Sequence, residues 1–240
     1  MAIYYNELNV RYSGEKAQAN AVFIRDYLLA KGWTLTAICG AMGNFDAETG
    51  GSLNPNTYEN WTVKPDIGNY GYGLAQWTPW LGKAGYEDAE SQRHYHGSNN
   101  PTFGRWCLDN GRDKATMEAQ LDYLDAGLGG YKSTSTFPES FEDFKTSSAS
   151  ANYLAKEFYV NYERSAAGNY GDRPDRADEW YDFLSGGDAP PVDPDPEEPD
   201  PDEPDPDEPD EPEEPPYNKP GKMSLPVFLA ATRRRLHVVR

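Results

Sequence analysis

Residues 34–77 read TLTAICGAMGNFDAETGGSLNPNTYENWTVKPDIGNYGYGLAQW. Thr34 is a good N-cap for the run that follows, in which Ile38, Met42 and Phe45 recur at spacings of four and three, the period of a helix packed on one face. Gly50 and Gly51 stop that run, so one acid, Glu48, falls where helix gives way to glycine. Gly40 and Gly43 weaken a helix by ~1 kcal/mol each relative to Ala, which predicts that they are contact points with another helix. Residues 52–72 combine Asn, Pro, Gly and Tyr as turns do, and predict a long irregular loop or a small β-hairpin region. The chain then returns through Tyr72, Gln76 and Trp77. A carboxyl beside a loop of rings and amides suits a cleft that stacks on sugar faces and hydrogen-bonds to their hydroxyls.

Helical patterns flank this stretch. Residues 15–31 place Ala19, Val22, Phe23, Leu28 and Ala30 near one face and close on Gly32. Residues 115–126 carry Met117, Leu121, Tyr123 and Leu124, and residues 149–162 carry Tyr153, Leu154, Phe158 and Val160. A last helix is predicted from Arg173 or Pro174 to Leu184, with Pro near its first turn and Trp180, Tyr181 and Leu184 to dock it. Shorter helices are predicted near 103–108 and 138–145. The fold class is therefore α+β and mainly helical, with six or seven helices and a small irregular β region filling residues 1–186.

Charge divides the rest of the chain. Residues 1–187 carry 16 Lys and Arg against 25 Asp and Glu, residues 188–216 carry 15 acids and no base, and residues 217–240 carry 6 bases and no acid. A mildly acidic globular part argues against a grip on nucleic acid phosphates. Residues 187–216, rich in Pro, Asp and Glu, bury no apolar surface and predict a disordered linker, extended over roughly 90 Å at ~3.1 Å per residue. Residues 217–240 are apolar and then basic, too short for a domain, and read as a docking tail. MAIYYNELNV lacks a basic segment followed by an apolar run, so no secretory signal is expected. No apolar stretch approaches the ~20 residues of a membrane span. Cys39 and Cys107 allow one disulfide or two free thiols, and Cys39 sits in an apolar helical run where a buried thiol is the commoner outcome.

Three motifs, WTLTAICGAMGNFDAET, YGYGLAQWTP and EFYVNYERSA, together resemble the phage tail lysozyme family over about residues 15–185. The resemblance implies a lysozyme-like fold, related to goose-type lysozymes and lytic transglycosylases, acting on bacterial peptidoglycan from a virion tail. It carries the catalytic acid over to Glu48, followed by Thr49 where the family more often has Ser. Gly73, Leu74, Ala75 and Gln76 correspond to the family's Gly-Leu-x-Gln and would line the cleft floor. Tyr162, Glu163 and Arg164 match the third motif, where Glu163 and Arg164 read either as cleft residues or as an internal salt bridge. The implied activity is a muramidase cleaving the β-1,4 bond between N-acetylmuramic acid and N-acetylglucosamine, with the tail binding phage tail proteins.

The chemistry of the residues agrees. Glycosidic cleavage needs a carboxyl still protonated near neutral pH, and burial against apolar groups, here Phe45, Tyr72 and Trp77, raises a carboxyl pKa. Tyr72, Gln76 and Trp77 are expected to hold the glycan, with Tyr162 and Glu163 as further contacts. Asp66 is the candidate second carboxylate, with Asp46 and Glu59 as rivals; Asp66 is equally a turn residue before Gly68. Without a carboxylate holding water, attack by the substrate's own 6-hydroxyl would make the enzyme a lytic transglycosylase. A catalytically dead wall-binding or tail-structural module is the alternative from another class. No cofactor is implied. His94 and His96 in a polar loop, with His237 in the tail, fall short of a catalytic zinc site, and Cys39 lacks a base for nucleophilic work.

Overall fold

The computed structural model describes residues 3–64, 69–78, 81 and 101–186. Among these residues there are seven α-helices: α1 Glu15–Leu29, α2 Leu35–Glu48, α3 Phe103–Asp109, α4 Met117–Asp125, α5 Phe141–Thr146, α6 Ala151–Asn161 and α7 Arg173–Ser185. Hydroxyl caps start most of them, the predicted Thr34 among them. Thr34, Thr102, Thr116, Ser140 and Ser150 each accept a backbone N–H three residues on. Gly186 closes α7 in the left-handed conformation that glycine adopts without a Cβ penalty.

Helix α2 is the central element. Every residue from Thr36 to Asp46 is buried, so it is enclosed on all sides instead of presenting one apolar stripe. Its two glycines make that enclosure feasible. A Cβ on Gly40 would lie 2.7 Å from the Leu154 Cβ of α6, and one on Gly43 would lie 2.3 Å from the Arg173 carbonyl oxygen that begins α7. Asn44, fully buried, donates to the Gly40 and Ala155 carbonyls and fixes the α2–α6 contact by a polar bond. The helix propensity lost at Gly40 and Gly43 is thus exchanged for close approach of two neighbours.

The small β region is less than predicted. Among the described residues it amounts to one antiparallel bridge, Tyr58 to Tyr72. Side-chain amides do the work a sheet would have done. Asn20 accepts the Tyr5 N–H and donates to the Tyr5 and Leu53 carbonyls, while Asn54 donates to the Glu7 and Val10 carbonyls. Gln120 of α4, fully buried, donates to the Pro55 and Lys114 carbonyls and accepts the Leu74 N–H. These bonds satisfy loop backbone that would otherwise be buried unpaired. The predicted linker and tail, and the three histidines, lie outside the described residues.

Candidate active site

Glu48 is the last residue of α2, and its placement depends on how that helix ends. Thr49 is fully buried; its hydroxyl donates to the Phe45 carbonyl at 2.7 Å and accepts the Leu53 N–H at 2.9 Å. One hydroxyl therefore ties the final turn of α2 to the loop leaving it. Ser52 adds a bond to the Thr49 carbonyl. The requirement at position 49 is a hydroxyl, which Thr and Ser both meet.

Beyond this turn the surface opens into two adjoining cavities of about 560 and 550 Å³. Both are lined by Ala75, Gln76, Thr78 and Glu163, which makes them two lobes of one groove. The first lobe is lined by Glu48, Tyr58, Glu59, Trp61 and Arg11. The second contains Trp77, Tyr162 and Arg164. Together the lobes enclose a volume suited to several sugar rings, with Trp61 half-buried at the surface and Tyr58, Trp77 and Tyr162 buried in the wall.

The floor between the lobes is rigid. Gln76 has φ +44°, a left-handed conformation uncommon for a side chain of its size, and its amide donates to the Thr57 and Gly73 carbonyls. Gly73 has φ +85°, and a Cβ there would lie 2.7 Å from the Gln120 amide oxygen, so glycine is required on both counts. Trp77 is stacked on Phe103 with centroids 4.7 Å apart and donates its indole N–H to the Tyr162 hydroxyl at 2.9 Å. That hydroxyl occupies the space a side chain on Gly129 would need.

The expected residues take different roles in this geometry. Glu48, Gln76, Trp77, Tyr162 and Glu163 all line the groove. Tyr72 does not: it is fully buried, donates to Asn56 and packs edge-on against Tyr58, so it supports the wall from behind. Asp66 lies outside the described residues. Of its rivals, Asp46 faces a different cavity, where it accepts from Arg176 at 3.0 Å and Trp180 at 3.2 Å. Glu59 is in the groove but accepts the Gly71 N–H, which anchors the loop. The anticipated Glu163–Arg164 salt bridge is replaced by two bonds from Arg164 to the Gly130 carbonyl, because Arg164, at φ +57°, is turned toward that loop.

The charged partner of Glu48 comes from far along the chain. Arg173, the first residue of α7, bonds the Glu48 Oε1 through Nη2 at 2.5 Å and lies over the Tyr159 ring at 4.7 Å. Glu163 is half-buried as a residue, but its Oε1 is enclosed and has no hydrogen-bond partner. Burial first, and the nearby Glu48 carboxylate second, push the Glu163 carboxyl well above the usual carboxylate range, against the opposing pull of Arg173. Trp61 also lines the first lobe. A half-buried indole with Arg11 over its face, 4.4 Å from the ring centre, was signalled only by a tryptophan in a polar, turn-rich loop. The thiols are free and buried. Burial raises both, Cys107 to about 12, so neither is a nucleophile near neutral pH.

The fold and site define a helical domain whose central helix delivers a carboxyl to the wall of a two-lobed groove. Sequence comparison makes the assignment specific: the phage tail lysozyme pattern matches residues 19–184, and this chain belongs to the phage tail lysozyme family. It is also 30% identical over 186 residues to morphogenesis protein 1 of Bacillus phage B103, an alignment covering 77% of this chain and 44% of that protein. The chain thus spans less than half the length of this curated relative.

Proposed function

We propose that this protein is a muramidase that cleaves the β-1,4 bond between N-acetylmuramic acid and N-acetylglucosamine in bacterial peptidoglycan, with Glu48 as the catalytic carboxyl. The observation that carries the reading is the position of Glu48, fixed by the Thr49 staple on the wall of a groove floored by Gln76. A proton delivered to the leaving glycosidic oxygen lets the C1–O4 bond break with the electron pair remaining on oxygen. Gln76 and Trp61, both half-buried, orient the glycan, and Trp77, 5% exposed, backs the groove wall. Tyr162 holds Trp77 in place.

The wider setting is read from the sequence. Residues 1–186 form the catalytic domain, 187–216 a spacer, and 217–240 a docking tail that attaches the enzyme to phage tail proteins, so that it opens the host wall during genome entry. The family match, ending at residue 184, supports the first of these boundaries.

One experiment tests the reading. Purified walls are incubated with the wild-type chain, Glu48→Gln, and a chain lacking residues 217–240, and released fragments are weighed by mass spectrometry. Glu48→Gln is expected to lower the rate by at least about 100-fold while remaining folded, and the truncated chain to keep the wild-type rate. A hydrolase releases reducing-end muramic acid, whereas a transglycosylase releases a product lighter by one water. A folded Glu48→Gln protein of wild-type activity would overturn the assignment, and binding to walls without any release would indicate a non-catalytic module.

A further inference from the structure

Asp46 faces a different cavity from Glu48, and Glu59, in the first lobe, is engaged with the Gly71 N–H. Glu163, in the third motif, meets the requirement for a second carboxyl near Glu48. It follows directly on α6, lines both lobes of the groove, and shares the first lobe with Glu48. Its Oε1 is enclosed and accepts no hydrogen bond. An ionised carboxylate in such a place would lose its hydration without replacement, at a cost of several kcal/mol; a protonated one would not. Arg173 supplies one positive charge to this region, already bonded to Glu48, and its buried Nε has no partner. Two carboxyls and one guanidinium leave the cluster with a net deficit of one positive charge if both acids ionise. A single retained proton removes the deficit.

We infer that Glu163 carries a proton beside Glu48, counterbalanced by Arg173, and that the two acids act as a pair that supplies this proton for glycosidic cleavage. The inference rests on the glycosidase reading and adds a second functional carboxyl to it. In the first half of the reaction the proton passes from the pair to the leaving O4, and the C1–O4 bond breaks with its electrons going to oxygen. The pair then carries two negative charges against one guanidinium. In the second half the hydroxyl that attacks C1, from water or from the substrate's own C6, returns its proton to the pair and restores the starting state. Atoms and charges balance for either product.

Other charged groups bear on the pair less directly. Arg11 and Glu59 line the first lobe, with Arg11 placed over Trp61 and Glu59 bonded to the Gly71 N–H. Arg164 lines the second lobe with its guanidinium committed to the Gly130 carbonyl. The burial-driven upward shift of Glu163 is consistent with the proton residing there at rest. Because the two groups interact, the quantities to measure are the macroscopic steps of the pair.

The test compares the pH profile of wall cleavage for the wild type, Glu163→Gln and Arg173→Gln, alongside carbon NMR of the full chain labelled at the glutamate carboxyls. Glu163→Gln removes the proton reservoir, so the alkaline limb is expected to move to lower pH by about one unit or more, with cleavage at pH ~8 down about tenfold relative to pH ~5. Arg173→Gln removes the compensating cation and is expected to move the same limb to higher pH. Opposite displacements from neighbouring residues are not produced by a general loss of stability. In the wild-type spectra one glutamate carboxyl at this site remains protonated near neutral pH, and that resonance disappears in Glu163→Gln. A folded Glu163→Gln enzyme whose profile keeps the wild-type shape, with only KM altered, overturns the inference and leaves Glu163 a glycan contact. Spectra showing both carboxyls ionised near neutral pH also overturn it. Should the wild type cleave no wall, the glycosidase reading fails, and the NMR result alone decides whether the pair holds a proton.

Discussion

The hydroxyl of Thr49 illustrates how much one side chain determines at this site. It satisfies the Leu53 N–H, a fully buried donor, and at the same time grips the last turn of α2 through the Phe45 carbonyl. Thr49→Val keeps the shape and removes both bonds, leaving that N–H unpaired. The expected loss is about 1–3 kcal/mol of unfolding free energy, measured by denaturant titration, whereas Thr49→Ser is expected to cost less because it keeps the hydroxyl. At this scale the sequence was legible where the signal was local. Glu48 stands at a helix end, Gln76 in a family motif, and both line the groove. Arg173 was not legible: it reaches Glu48 across 125 residues of chain, and nothing in the RPDR segment around it marks a partner. The state of Glu163 was equally hidden, because enclosure of one oxygen is a property of the assembled fold.

Element by element, the helices are legible in the sequence, and so is the irregularity of the loop, but not the bonds that order it. Helix boundaries follow caps and periodicity, which are written in consecutive residues, so α1 to α7 lie within a few residues of their predicted positions. The described part of the loop between α2 and α3 draws its order from Asn20, Asn54 and Gln120, whose amide bonds join segments distant in sequence. No local pattern announces them. The glycines of α2 are an intermediate case, since their propensity penalty predicted contact and the structure supplies the contacting helices. Gly43 is the more informative of the two, because a Cβ there would meet the backbone of Arg173 itself. Gly43→Ala is therefore expected to push the start of α7 outward despite the better helix propensity of Ala. A net destabilisation of about 1–3 kcal/mol is expected from overpacking, with a loss of wall-cleaving activity beyond what the remaining folded fraction explains. Thermal unfolding and specific activity, measured on the same preparation, separate the two effects.

Over the whole molecule, buried acids make stability depend on pH in an unusual direction. Glu157 of α6 is 1% exposed, accepts the Tyr131 hydroxyl, and has its second oxygen enclosed without a partner. Burial raises its carboxyl to about 7, with Glu139 and Asp143 adding repulsion, while the Tyr131 bond works in the opposite sense. The folded protein therefore keeps this proton up to about pH 7, whereas the unfolded chain releases it at the ordinary glutamate value. Between those limits the folded state binds more protons than the unfolded state, so stability falls as pH rises. The contribution is fully present below about pH 4.5 and gone above about pH 7, with a size on the order of 3 kcal/mol. Glu163 is raised as well and adds a slope of the same sign, so the wild-type curve alone does not isolate either residue. Glu157→Gln does, because the amide oxygen still accepts from Tyr131 and no longer titrates. Denaturant titrations of both proteins from pH 4 to pH 8 are expected to show the Gln variant gaining about 3 kcal/mol on the wild type across the window. A constant difference between the two curves would mean that Glu157 ionises normally and that its enclosure in α6 is relieved by movement of the Tyr131 loop.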